Sequence, residues 1–128
     1  MRDIHIELEG AEYAADFITS VSDVLPDTWS RDGILEAQVS TREDVQYCFR
    51  YEPGDERPRT ALVLAGPGDT LTVAVVVPID RDVDLSDDTY DGIVDDFWED
   101  VLVPVLEKHR KGETPYDLEA DLVDRDEA

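Results

Sequence analysis

Val45, Tyr47, Phe49 and Tyr51 alternate with Gln46, Cys48 and Arg50. A period of two over seven residues, rich in aromatic side chains, specifies an extended strand, because a helix would scatter the aromatics around its circumference. One face of that strand is aromatic and the other polar, so the chain must supply neighbouring strands and a layer over the aromatic side. Upstream, a strand is expected from Gly33 through Leu35, Ala37 and Val39, with polar Ser40 to Asp44 turning it back. Downstream, a loop with Pro53-Gly54 and Arg57-Pro58-Arg59 leads into Ala61 to Ala65, and Gly66-Pro67-Gly68-Asp69 turns the chain into Leu71 to Val77. In this last strand Val73, Val75 and Val77 oppose Ala74 and Val76, so both faces are apolar or small. It belongs in the middle of a sheet, with cover on both sides from the chain's own termini or from a second subunit.

The flanking segments carry the covering layer. Ile4, Ile6 and Leu8 alternate with Asp3, His5, Glu7 and Glu9, which is a strand with one wet face. After Gly10 the period lengthens, and Ala11, Ala14, Ala15, Phe17, Ile18, Val21, Val24 and Leu25 form one helical stripe that Pro26 stops. Ser86 is a helix N-cap followed by Asp87 and Asp88, whose charge suits the positive end of the helix dipole. The stripe behind it runs from Ile93 to Leu106, and Lys108, His109, Arg110 and Lys111 precede a terminating Gly112. Pro104 lacks a backbone donor and clashes with the carbonyl of Asp100, so a kink or break near residue 103 is expected. The order β-α-β-β-β-β-α predicts an α+β fold: an antiparallel sheet of about five strands packed on one side by two helices. Residues 1–112 form the single domain in this reading, and 113–128 a mobile acidic tail.

Charge limits what such a domain does. The chain of 128 residues carries 33 acidic and 11 basic side chains, a formal charge of -22. The acids are mostly Asp and lie from Asp3 to Asp126, on every predicted solvent face and loop, whereas Lys108 and Lys111 are the only lysines. A nucleic-acid mimic would gather its carboxylates on one face, so the spread points instead to a protein adapted to concentrated salt. At molar salt the Debye length falls to about 3 Å, which silences most of the self-repulsion. No apolar run approaches the roughly 20 residues that span a bilayer, and Met1 to Glu7 lack the apolar stretch of a signal peptide. With one cysteine, Cys48, no internal disulfide is possible, and a reducing cytoplasm is the expected location.

The chain offers few chemical constellations. Asp80, Asp82, Asp84, Ser86, Asp88 and Asp91 fall at positions 1, 3, 5, 7, 9 and 12 of a calcium-loop numbering, and Ca²⁺ or Mg²⁺ needs such oxygens. Leu85 stands where a turn-forming glycine belongs, and Asp91 is shorter than the usual bidentate Glu. An acidic loop capping a helix is the competing reading of the same residues. His5 and His109 are far apart, with no Ser or Cys at a catalytic spacing, so no nucleophilic triad is expected. Cys48, beside Arg50, is either an inert packing residue or a thiol whose pKa that guanidinium lowers. Without a basic groove, the aromatics read as core and no nucleic-acid partner is expected.

One local exception breaks the acidic coat. Residues 26–65 carry five arginines against eight acids, a net of -3, while residues 66–128 carry five cations against nineteen acids, a net of -14. A surface that keeps Arg and Gln where the rest gains Asp is a candidate contact surface. The residues concerned are Gln46, Cys48, Arg50, Arg57 and Arg59, with Trp29 as either a lid on the core or a further contact. The competing reading pairs Arg57 and Arg59 locally with Glu52, Asp55 and Glu56. The expected function is therefore a non-catalytic interaction or regulatory module, bound to a protein partner or to itself as a homodimer. A metal- or ligand-binding protein using Asp80 to Asp91, and an acidic inhibitor or antitoxin of a basic partner, are the alternatives.

Overall fold

A computed structural model describes residues 2–34, 36, 45–54, 58–80, 84–114 and 116–124. Six antiparallel strands form one sheet in the order β2-β3-β4-β5-β1-β6. They are β1 (Arg2–Leu8), β2 (Trp29–Arg31), β3 (Val45–Tyr51), β4 (Thr60–Gly66), β5 (Thr70–Pro78) and β6 (Leu118–Asp124). Helix α1 (Ala14–Val24) follows a short 3₁₀ turn, and α2 (Asp87–Phe97) continues through a π-helical segment, Trp98–Leu102, into α3 (Val103–Arg110). The apolar stripes of the helices and one face of the sheet meet in a single core, with Phe17, Phe49 and Phe97 fully buried. The expected α+β architecture is present, with one more strand than anticipated.

Local chemistry accounts for most of these boundaries. The Ser86 hydroxyl oxygen accepts from the Thr89 backbone N–H at 3.2 Å, the N-cap bond that starts α2. Pro104 removes a donor from the following helix without ending it. The Val103 N–H instead donates to the Trp98 carbonyl five residues back, so the expected break takes the form of a π segment. In the β4–β5 turn Gly68 has a φ of 110°, and a Cβ on Gly66 would collide with the Thr70 carbonyl. That is why glycines stand at both positions.

Three elements differ from the sequence expectation. Residues Gly33, Ile34 and Glu36 are helical rather than extended, and 35 and 37–39 lie outside the described residues. The edge strand is Trp29–Arg31 instead, so Trp29, expected in a loop, is 2 % exposed in the core. Its ring stacks on Tyr51 at 4.4 Å and meets Phe97 edge-on at 5.1 Å, and its indole N–H donates to Asp100 at 3.4 Å. The expected tail over 113–128 contains β6, which pairs with β1 at all seven of its positions. Leu118, Ala120 and Leu122 face the core there, opposite Leu8, Ile6 and Ile4. Residues 125–128 lie outside the described residues.

A β-bulge sets the fate of β5. Val63 pairs with Val75 and Leu64 with Val73, so Ala74 is an extra residue in the ladder. Strict alternation would send Val73, Val75 and Val77 the same way. The bulge resets the phase instead: Val73 and Val76 turn into the core, and Val75 and Val77 turn outward, 39 % and 43 % exposed. The strand is central, as anticipated, but the described residues leave its outer side open at these two valines.

Candidate interaction face

The sheet face opposite the helices can be followed strand by strand. Arg50, Ala61 and Val77 lie side by side on β3, β4 and β5, and Cys48, Val63 and Val75 form the next row. Gln46, Ala65 and Thr72 follow, and Thr72 continues the row across to His5 and Asp121 on β1 and β6. Beyond them Glu7 stands directly opposite Glu119. Among the described residues, no outward ladder position on β2 to β5 carries a carboxylate, while β1 and β6 present Asp3, Glu7, Glu119 and Asp121. A depression of about 320 Å³ sits on the carboxylate-poor half, lined by Asp32, Arg50, Ala61, Val77, Pro78 and Ile79.

Each half is anchored by a buried carboxylate that substitutes for a missing strand partner. Where β2 ends, the Asp32 N–H still donates to the Cys48 carbonyl at 2.9 Å, and the next β3 donor, the Cys48 N–H, reaches Glu36 at 3.2 Å. The same carboxylate takes both a 2.8 Å and a 2.9 Å bond from Arg31, whose guanidinium carbon lies 5.5 Å from the Tyr47 ring centroid. A bidentate, charge-assisted pair of this kind holds its partners in one geometry. Where β1 leaves β5, Asp3 accepts from the Ile4 N–H at 2.7 Å and from the Val73 N–H at 3.0 Å. His5 Nε2 lies 3.3 Å from its other oxygen.

The structure brings some of the sequence candidates together and separates others. Gln46 and Arg50 share the outer face, and Arg50 stands 3.4 Å from Glu52. Cys48 lies between them but is fully buried with Ala61 and Val63. Burial, reinforced by Asp32 and Glu36 and only partly offset by Arg50, pushes its thiol up to about 11. The lowered pKa considered from the neighbouring arginine is thus reversed, and at neutral pH Cys48 is a packing residue. Arg59 pairs with Asp80, its Nη2 at 2.7 Å from one oxygen and its Nε at 3.4 Å from the other, while Asp55 and Glu56 lie outside the described residues. Arg57 lies outside the described residues, and Trp29 is in the core on the opposite side of the sheet.

The acidic loop is committed to other contacts. The hydrogen bond from Arg59, aided by its charge, holds the Asp80 carboxyl below its ordinary range. Ser86 caps α2, Asp88 lies in the first helical turn, and Asp91 accepts from the Arg2 backbone N–H at 2.6 Å. Asp84 is exposed, and Asp82 lies outside the described residues. Among the described residues, no group of three or more His, Cys, Asp or Glu side chains could hold a metal ion. His109 Nδ1 pairs with the Thr114 hydroxyl at 2.7 Å, beside a cleft of about 420 Å³ lined by Glu7, Glu9, Asp117 and Glu119. It is on a different element from His5.

Sequence reasoning missed Glu36, Arg31 and the exposure of Val75 and Val77. Glu36 belongs to a segment that reads as a strand and Arg31 to the Asp27 to Asp32 stretch that reads as a loop, and the exposure of the valines depends on a register that no single strand reveals. No described helix is long and apolar enough to cross a membrane. Comparison with known protein families, with characterised proteins and with solved structures finds no match to this chain.

Proposed function

We propose that this protein is a non-catalytic interaction module of a salt-adapted cytoplasm, and that it docks a partner protein on the outer face of β2 to β5. The observation that carries this reading is the outward turn of Val75 and Val77 beside the buried Ala61 and Val63, on strands whose described outward ladder positions carry no carboxylate, in a chain of charge -22. Salt adaptation favours acids on any surface that meets only solvent. An apolar patch retained on a central strand against that trend is better explained by contact than by chance. Burial of Cys48 and its raised thiol pKa support a role without covalent chemistry.

The test is co-purification from the native cytoplasm in concentrated KCl, comparing the wild-type chain with a Val75→Thr/Val77→Thr variant and with Arg50→Glu. Threonine keeps the β-branch, so the strand persists while the apolar patch is lost. A protein retained by the wild type and lost from both variants is the expected result. Identical partner sets for all three would overturn the reading.

A further inference from the structure

The row Arg50, Ala61 and Val77 crosses β3, β4 and β5 with a short side chain between two longer ones. Ala61 contributes only a methyl group, so the outer surface dips at the middle of the row. Asp32 bounds the dip beyond the end of β2, where its N–H donates to the Cys48 carbonyl at 2.9 Å. Pro78 and Ile79 bound it where β5 ends, and the Ile79 N–H donates to the Arg59 carbonyl at 2.9 Å. The depression of about 320 Å³ thus has a rim fixed by backbone hydrogen bonds. At about 30 Å³ for each water it holds about ten waters, or a ligand of about ten non-hydrogen atoms.

Its lining selects among ligand classes. Ala61, Val77, Pro78 and Ile79 are apolar, while Asp32 and Arg50 bring opposite charges to one small space. Both charges act on the Cys48 thiol, Asp32 raising and Arg50 lowering its pKa, so the two are neighbours. Glu52 stands 3.4 Å from Arg50 as well. A simple anion would meet one guanidinium against two carboxylates, and a simple cation would be repelled by Arg50. We infer that the depression binds a small amphipathic zwitterion, a free α-amino acid with a branched apolar side chain. Its carboxylate accepts from the Arg50 guanidinium, its ammonium group donates to Asp32, and its side chain lies against Val77, Pro78 and Ile79. Such a ligand is neutral overall, so the chain's charge of -22 does not repel it. Molar salt leaves its direct contacts largely intact. The site stands apart from the docking of a partner, although Val77 serves both.

The test titrates four probes into the ¹⁵N-labelled full chain at one fixed KCl concentration: leucine, isocaproate, which lacks its ammonium group, isoamylamine, which lacks its carboxylate, and glycine, which lacks its side chain. Leucine is expected to shift the amides of Arg50, Ala61, Val77 and Ile79 saturably. It should bind at least about tenfold tighter than isocaproate or isoamylamine, the loss of one charge-assisted bond. Glycine should give no saturable shift. Arg50→Gln should reduce leucine to the affinity of isoamylamine, and Asp32→Asn to that of isocaproate, with the dispersion of the amide spectrum checking that each variant is folded. Val77→Thr should weaken leucine, whereas Val75→Thr, outside the lining, should leave it unchanged. Isocaproate or isoamylamine binding as tightly as leucine overturns the zwitterion. Saturable leucine shifts elsewhere in the chain, or none at all, overturn the site.

Discussion

Across the outer face of the sheet, β5 presents Val75 and Val77 beside the buried Ala61 and Val63 of β4, whereas β1 and β6 present Glu7 opposite Glu119 and His5 opposite Asp121. The backbone pairing is the same antiparallel ladder throughout. Only the outward side chains differ, and the change falls between β5 and β1, where the carboxylate of Asp3 also lies. The acidic half is suited to solvent and ions, while the apolar half is suited to another surface. One chain can thus answer two demands on one sheet face, because neighbouring strands contribute their outward residues independently.

The seam between the halves is where the largest effect is expected. Asp3→Ala removes the acceptor of the Val73 and Ile4 N–H groups, at a cost of about 3 kcal/mol in urea unfolding. A loss below about 1 kcal/mol would show that the seam is held by packing alone. On the apolar half, the Cys48 thiol is raised from about 9 to about 11 in the folded chain, so the native state holds its proton more tightly. The stability this contributes is complete below about pH 9 and is lost as pH rises toward about 11. A Cys48→Ala variant should show a flatter stability profile across that window, and an unchanged slope would assign the loss to other groups.

Smaller effects separate the two halves further. Glu36→Gln keeps the shape of the β2 terminus but replaces a charge-assisted pair with neutral bonds, for an expected loss of about 1 kcal/mol by thermal or urea unfolding. The same measurement on Glu119→Gln should give about 0.5 kcal/mol of stabilisation in dilute buffer and almost none in molar KCl, since only a screened like-charge pair is relieved. A salt-independent gain would contradict the assignment of that pair as a solvent-facing repulsion.

The contrast between halves was only partly legible in the sequence. The alternation of Val45 to Tyr51 and the three-and-four stripes of the helices were readable because each period lies within one element. The orientation of Val75 was not, because the bulge that turns it outward is a property of β4 and β5 together. Leu118, Ala120 and Leu122 alternate with Glu119 and Asp121, a strand signal that the acidity around it outweighed. Trp29 opens a strand of three residues, too short to show any period. Arg50 and Gln46 were legible as outward residues, while the partner of Arg59 was not, since Asp80 is 21 residues away.

The two margins of the sheet bear on how a partner can approach. Strand β2 is three residues long and its continuation is occupied by Glu36, while β6 carries Glu119 and Asp121 along its outer rim. Short strands and rim charges both discourage an incoming chain from extending the ladder. Strand addition is the most generic way for a β-protein to bind or aggregate, and here both routes are obstructed. Recognition is thereby directed onto the broad side of the sheet, where side chains rather than backbone groups determine which partner fits.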